Sequence, residues 1–89
     1  MTYTVYIIQS LTTSRFYVGQ TYDLNKRLSE HNSELASYTK KEQPWQLVWH
    51  QLVETRKEAM GLEKRIKNRG IKRFLDDIQA QPGSVTPQA

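Results

Sequence analysis

Cysteine is absent from this chain of 89 residues, so neither a disulfide nor a thiolate metal site can form. No apolar run approaches the ~20 residues that a bilayer-spanning helix requires. The opening Met1-Thr2-Tyr3-Thr4 lacks the basic start of a secretory signal. The cytoplasm is therefore the expected location. Acidic residues are also nearly missing from one stretch. Between residues 56 and 73 only Glu58 and Glu63 oppose Arg56, Lys57, Lys64, Arg65, Lys67, Arg69, Lys72 and Arg73, eight of the chain's thirteen basic residues. That stretch carries a net charge of +6 and the remainder −2. Such concentration suits a polyanionic partner, although a solvated basic helix face explains the charge equally well.

What is present fits one small soluble domain, with 37% hydrophobic and 25% charged residues. Residues 3–9 are β-branched and aromatic, as in a strand. A turn-forming break at 10–14 leads into a second strand over 15–20, giving a β-hairpin. A four-residue loop sets Ile8 opposite Tyr17 and Tyr6 opposite Gly19. Tyr6 and Tyr17 then share a face as diagonal neighbours, roughly 7–8 Å apart, and Gly19 leaves open space beside the Tyr6 ring. Thr21 or Asp23 can cap a helix running to about Asn32, with Leu24 and Leu28 as its apolar stripe and Arg27 and His31 as an i, i+4 pair beside it.

Residues 33–44 read as a polar loop holding Tyr38, Lys40 and Lys41. Gln46 to Val53 is apolar enough for a well-buried third strand. Thr55 and Glu58 match a capping box, opening a helix whose Ala59, Leu62 and Ile66 share one face, with Glu63 at the edge of that stripe. Gly70 ends it, and Ile71, Phe74, Leu75 and Ile78 mark a short final helix. The expected organisation is one domain over 1–80 and a disordered tail over 81–89.

Singly, the polar residues have ordinary explanations. Tyr6 and Tyr17 suit half-buried strand positions, Arg27 a solvated helix face, and His31 a helix end whose dipole favours positive charge. Glu63 can pair with Lys67, four residues on.

Their order resembles that of the GIY-YIG nuclease family. Thr4-Val5-Tyr6 stands at the first triplet of the family name and Tyr17-Val18-Gly19 at the second. Asp23 to Asn32 is similar to the family's first helix, and Tyr38-Thr39 and the strand from Pro44 to Val53 follow the pattern. Glu58-Ala59 and Leu62 through Lys67 are similar to its metal-bearing helix. The resemblance runs from about residue 3 to residue 75, and is to small stand-alone members similar to the N-terminal nuclease domain of the bacterial excision-repair excinuclease. Thr4 departs from the pattern, standing where the first triplet has glycine.

The resemblance implies an α+β fold, a small three-stranded, largely antiparallel sheet flanked by helices. It implies a metal-dependent DNA endonuclease, selective for DNA structure and serving repair or recombination, with Tyr6, Tyr17, Arg27, His31 and Glu63 as catalytic residues. Glu63 would hold one Mg²⁺ or Mn²⁺ ion, as one carboxylate with waters and substrate phosphate can. Arg27 would offer a permanently charged fork to the phosphate. One tyrosine would orient or deprotonate the water, and His31 would shuttle the proton. Lys67, Asn68, Arg69, Lys72, Arg73, Tyr38 and Lys40 would bind nucleic acid, DNA rather than RNA. The tryptophans Trp45 and Trp49 can stack on bases or pack into the core. A domain this small would take its specificity from substrate shape or from a protein partner. The rival readings are a module that keeps the fold and binds without cutting, and a small basic structural protein. The latter explains the charge but not the joint presence of Tyr6, Tyr17, Arg27 and Glu63.

Overall fold

Strand β1 (Tyr3–Ser10) leads into β2 (Phe16–Thr21) and helix α1 (Leu24–His31), then a 3-10 turn (Lys40–Glu42), strand β3 (Trp45–Val53), and helices α2 (Arg56–Arg69) and α3 (Ile71–Ala80). The computed structural model describes residues 2–33 and 40–80. The expected roles of Tyr38 and of the 81–89 tail lie outside the described residues. The three strands form one antiparallel sheet in the order β2-β1-β3, the expected architecture.

Strand β1 is buried because it is central and covered on both faces. Val5, Ile7 and Val18 pack against Ala59, Leu62 and Ile66 of α2, with Phe74 and Leu75 of α3 adding to that layer. Tyr6 and Ile8, on the opposite face, pack with Trp45, Leu24 and Leu28. An apolar run without alternation is what a strand covered on both sides requires. Composition alone predicts the well-buried place for Gln46–Val53 instead. The structure corrects this: β3 lies at the sheet edge, and Trp45 is its one buried residue. The polar Gln46, His50 and Gln51, exposed in the structure, are the signal that this strand is not covered all round.

An irregularity in the β1–β3 pairing falls between Ile7, opposite Trp49, and Ile8, opposite Leu47. Residues four apart on a regular strand share a face, so the extra residue redirects one tryptophan. Trp49 joins the Val5–Ile7 layer and meets Phe74 edge-on, with ring centroids 4.9 Å apart. Trp45 joins the Tyr6–Ile8 layer. Both tryptophans serve packing, the second of the two uses open to them.

Helix ends follow the sequence closely. Asp23, rather than Thr21, caps α1 by accepting from the Lys26 backbone N–H. Thr55 and Glu58 form the reciprocal capping box of α2. Gly70 ends α2 with φ +97°, a backbone conformation that costs glycine little, and α3 begins immediately after it.

Candidate active site at the edge of strand β2

The hairpin register is the one the four-residue loop implies: Tyr6 pairs with Gly19 and Ile8 with Tyr17. Tyr6 and Tyr17 therefore share a face, their ring centroids 6.5 Å apart. The space beside Gly19 is not open, however. A Cβ there would lie 2.6 Å from the Tyr6 hydroxyl oxygen and 2.9 Å from Tyr6 Cζ. The tyrosine ring itself fills the room that glycine leaves. Tyr6 is almost fully buried and cannot swing outward, so Gly19→Ala is expected to cost about 1–3 kcal/mol of stability through overpacking. It should also displace the Tyr6 hydroxyl. Thermal denaturation checks the first effect, and an unchanged melting temperature would contradict the close approach.

Helix α1 brings His31 and Arg27 to that hydroxyl. Tyr6 Oη and His31 Nε2 are 2.9 Å apart. His31 is buried among Tyr6, Tyr17 and Trp45, its ring centroid 5.0 Å from that of Tyr17 and 6.3 Å from that of Trp45. The end of α1 is fixed to the start of β3. Asn32 exchanges hydrogen bonds with the Trp45 backbone, donating to its carbonyl and accepting from its N–H, and Gln43 donates to the His31 carbonyl. Burial, reinforced by the Arg27 charge, lowers the His31 pKa. The imidazole is therefore neutral at neutral pH and can accept the phenolic proton at Nε2.

Burial raises the Tyr6 pKa; the Arg27 guanidinium beside it pulls the other way, while Tyr17 and Glu63 add to the rise. Arg27 interacts with the Tyr6 oxygen and donates to Glu30 at 3.0 Å, and both hold its guanidinium charged. The two partners leave it partly exposed, positioned to meet an arriving anion.

Glu63 belongs to the other side of the sheet. It reaches the β2 edge, where Gln20 Nε2 donates to its Oε1 at 3.2 Å. Lys67 Nζ lies 3.0 Å from Oε2, the i, i+4 pair expected from spacing. Tyr6, Tyr17, His31, Arg27 and Glu63 thus gather around one edge strand. Among the described residues no three of His, Asp and Glu cluster as a ready metal cage. The donor set is one carboxylate, suited to an ion that takes its remaining ligands from water and phosphate.

The expected nucleic-acid contacts are placed less uniformly. Lys67 is turned to Glu63. Arg69 is held by Asp77 through two hydrogen bonds of 2.8 and 2.9 Å, and Lys72 lies 3.6 Å from Asp76. Part of the basic run is therefore matched by acids just beyond its end. Lys72–Asp76 is readable as an i, i+4 pair, whereas Arg69–Asp77 depends on how Gly70 turns the chain. Asn68 is exposed and, five residues beyond Glu63, points about 140° round the helix from it. Lys40 and Arg73 are exposed. Gln20, Tyr22, Lys26 and Arg56 carry no sequence signal that singles them out. With Arg27 they line a groove of about 460 Å³, and only the folded arrangement brings Arg56 beside α1. No helix among the described residues is long and apolar enough to cross a membrane.

Comparison with known proteins gives a consistent result. The sequence model of the GIY-YIG catalytic domain matches residues 2–73. A UPF0213 protein of Bacillus pumilus is 46% identical over 52 residues, covering 57% of this chain and 53% of that protein. One from Staphylococcus saprophyticus is 38% identical over 64 residues, 71% of this chain and 77% of that protein. One from Haloquadratum walsbyi is 40% identical over 65 residues, 72% of each chain. This chain thus spans about half of the first relative and about three quarters of the other two. The solution NMR structure of the UPF0213 protein BH0048 from Bacillus halodurans superposes with a TM-score of 0.56 at 27% identity, covering 93% of this chain and 88% of that one.

Proposed function

This chain belongs to the GIY-YIG family of nuclease-type domains, and from that premise we propose that it is a metal-dependent endonuclease hydrolysing phosphodiester bonds in DNA. Its setting would be cytoplasmic DNA repair or recombination, with substrate shape or a protein partner setting specificity. The observation that carries the reading is the convergence of Tyr6, His31 and Arg27 on one hydroxyl, with Glu63 facing them across the β2 edge.

The scissile phosphate would dock on Arg27, whose planar fork and permanent charge suit its oxygens. Neutral His31 takes the Tyr6 proton at Nε2, and the Arg27 charge favours the resulting phenolate. The raised Tyr6 pKa resists that ionisation, which therefore needs both neighbours, but it makes the phenolate the stronger base. The Tyr6 oxygen then removes a proton from the attacking water. Tyr17, half-buried on the same face, orients that water. Glu63, steadied by Gln20, would hold one Mg²⁺ or Mn²⁺. When bound, the ion supplies charge neutralisation at the phosphoryl and leaving oxygens. Lys40, Arg73 and Asn68 would meet the backbone away from the cut, while Arg69 and Lys72 contribute less because Asp77 and Asp76 already match them.

A binding module that cuts nothing is favoured by one observation: Glu63 is already matched by Lys67 and Arg27 by Glu30. The two readings separate on supercoiled plasmid and on nicked, flapped and branched DNA, with Mg²⁺ or Mn²⁺ against EDTA. Cutting that requires the ion supports the nuclease, and salt-sensitive binding without cutting on any substrate supports the module. In the same assay Arg27→Ala should lower kcat by about 10²- to 10³-fold, as loss of one transition-state donor does. Ground-state DNA affinity should fall far less; equal losses in both would contradict a role for Arg27 in the transition state.

A further inference from the structure

The groove between the end of β2 and the start of α1 shares Gln20 and Arg27 with the candidate active site. A strand leaving the reacting phosphate on that side would enter it. The groove also contains Tyr22, at 66% exposure the most exposed large hydrophobic side chain among the described residues. An aromatic ring in water has a free π face, and unpaired bases stack on such faces irrespective of sequence. Three cations line the same groove: Lys26, Arg27 and Arg56. The acids in the groove are already engaged. Asp23 caps α1 through the Lys26 backbone N–H, and Glu30 pairs with Arg27. Lys26 and Arg56 have no ion-pair partner among the described residues.

We propose that this groove is a nucleotide subsite, in which an unpaired base next to the scissile phosphate stacks on Tyr22 while Lys26 and Arg56 hold the flanking phosphates. The inference rests on the nuclease reading and narrows its substrate to DNA with an unpaired segment beside the cut, such as a flap or a frayed junction. A closed duplex keeps its bases stacked on one another and offers none to Tyr22.

The test is binding of a single-stranded oligonucleotide carrying 2-aminopurine, measured in EDTA so that no cleavage occurs. Stacking on Tyr22 should quench the fluorescence. Tyr22→Ala should abolish the quench and weaken binding about 5- to 150-fold, the range for loss of one base–aromatic stack, whereas Tyr22→Phe should retain both. Arg56→Gln should reduce the slope of log affinity against log salt by about 0.7, as expected for one phosphate contact on a single strand. Arg65→Gln, in the separate groove beside Trp49 and Phe74, should leave the quench unchanged. Circular dichroism confirms that each variant is folded.

Wild-type binding without quench, no binding at all, or Tyr22→Ala binding with wild-type affinity would overturn the subsite. So would equal affinity for a fully paired duplex. A cleavage assay run in parallel keeps the two readings apart. Metal-dependent cutting with a KM unchanged by Tyr22→Ala overturns the subsite and leaves the nuclease standing. A Tyr22-dependent quench without cutting on any substrate supports the subsite and overturns the nuclease.

Discussion

Replacing Glu63 with glutamine is expected to abolish metal-dependent cleavage while DNA binding in EDTA survives. The amide keeps the side chain's size but removes the charge that a divalent ion needs. Losing several kcal/mol of transition-state stabilisation from that ion lowers the rate by about 10²- to 10⁴-fold. The fold should be little affected, because the interaction lost is one ion pair between a half-buried Glu63 and an exposed Lys67, worth about 1 kcal/mol. Binding should persist or strengthen, since a negative charge near the phosphate has been removed. A gel-shift titration and a cleavage time course on one preparation read both effects, and an active glutamine variant would eliminate Glu63 as the metal ligand. Lys67 supplies the complementary check. Its ammonium lies 3.0 Å from one oxygen of the Glu63 carboxylate and would compete with a cation for that charge. Lys67→Met should therefore raise Mn²⁺ affinity, by no more than about 5-fold given the worth of such a pair.

How the sequence encodes this site differs from residue to residue. Tyr6 and Tyr17 are legible because strand alternation and a short loop leave few registers, and the register found is the one those constraints select. Arg27 and His31 follow from helical spacing: positions four apart share a face, and the cap at Asp23 fixes where that helix starts. Glu63 is legible as the polar residue at the edge of an apolar stripe. Its partner Gln20 is not, since no periodicity within β2 indicates which helix will cross its edge. The same holds for Arg56, which heads α2 and reaches the start of α1 only in the folded chain.

Burial in β3 is misread from composition for a related reason. Residues 46–53 and 3–9 are both apolar, and composition alone does not say which lies in the middle of the sheet. The polar residues of β3 and the unbroken pattern of β1 do contain that information. The basic run is legible as charge but not as free charge. Asp76 and Asp77 lie past the window that defines it, and one of the two pairings crosses the break at Gly70.

Deleting the Tyr6 hydroxyl alone should separate chemistry from packing. Tyr6→Phe keeps the buried ring against Gly19 and is expected to cost about 1–3 kcal/mol, the loss of one hydrogen bond to a buried partner. Cleavage should fall about 10²- to 10⁴-fold if the hydroxyl is the proton acceptor. The pH profile identifies the group behind it. His31 must be neutral to accept the phenolic proton, and burial with Arg27 holds its folded pKa below the usual histidine value. The rate should therefore be level through neutral pH and fall as pH drops through that lowered value. Stability follows the same sign. The unfolded chain binds the proton more readily, so the contribution of neutral His31 is present above its unfolded pKa of about 6.5 and lost as pH falls toward the folded one. In His31→Gln the acid limb should vanish along with most of the rate. An unchanged limb in that variant would assign it to another group and remove His31 from the proton path.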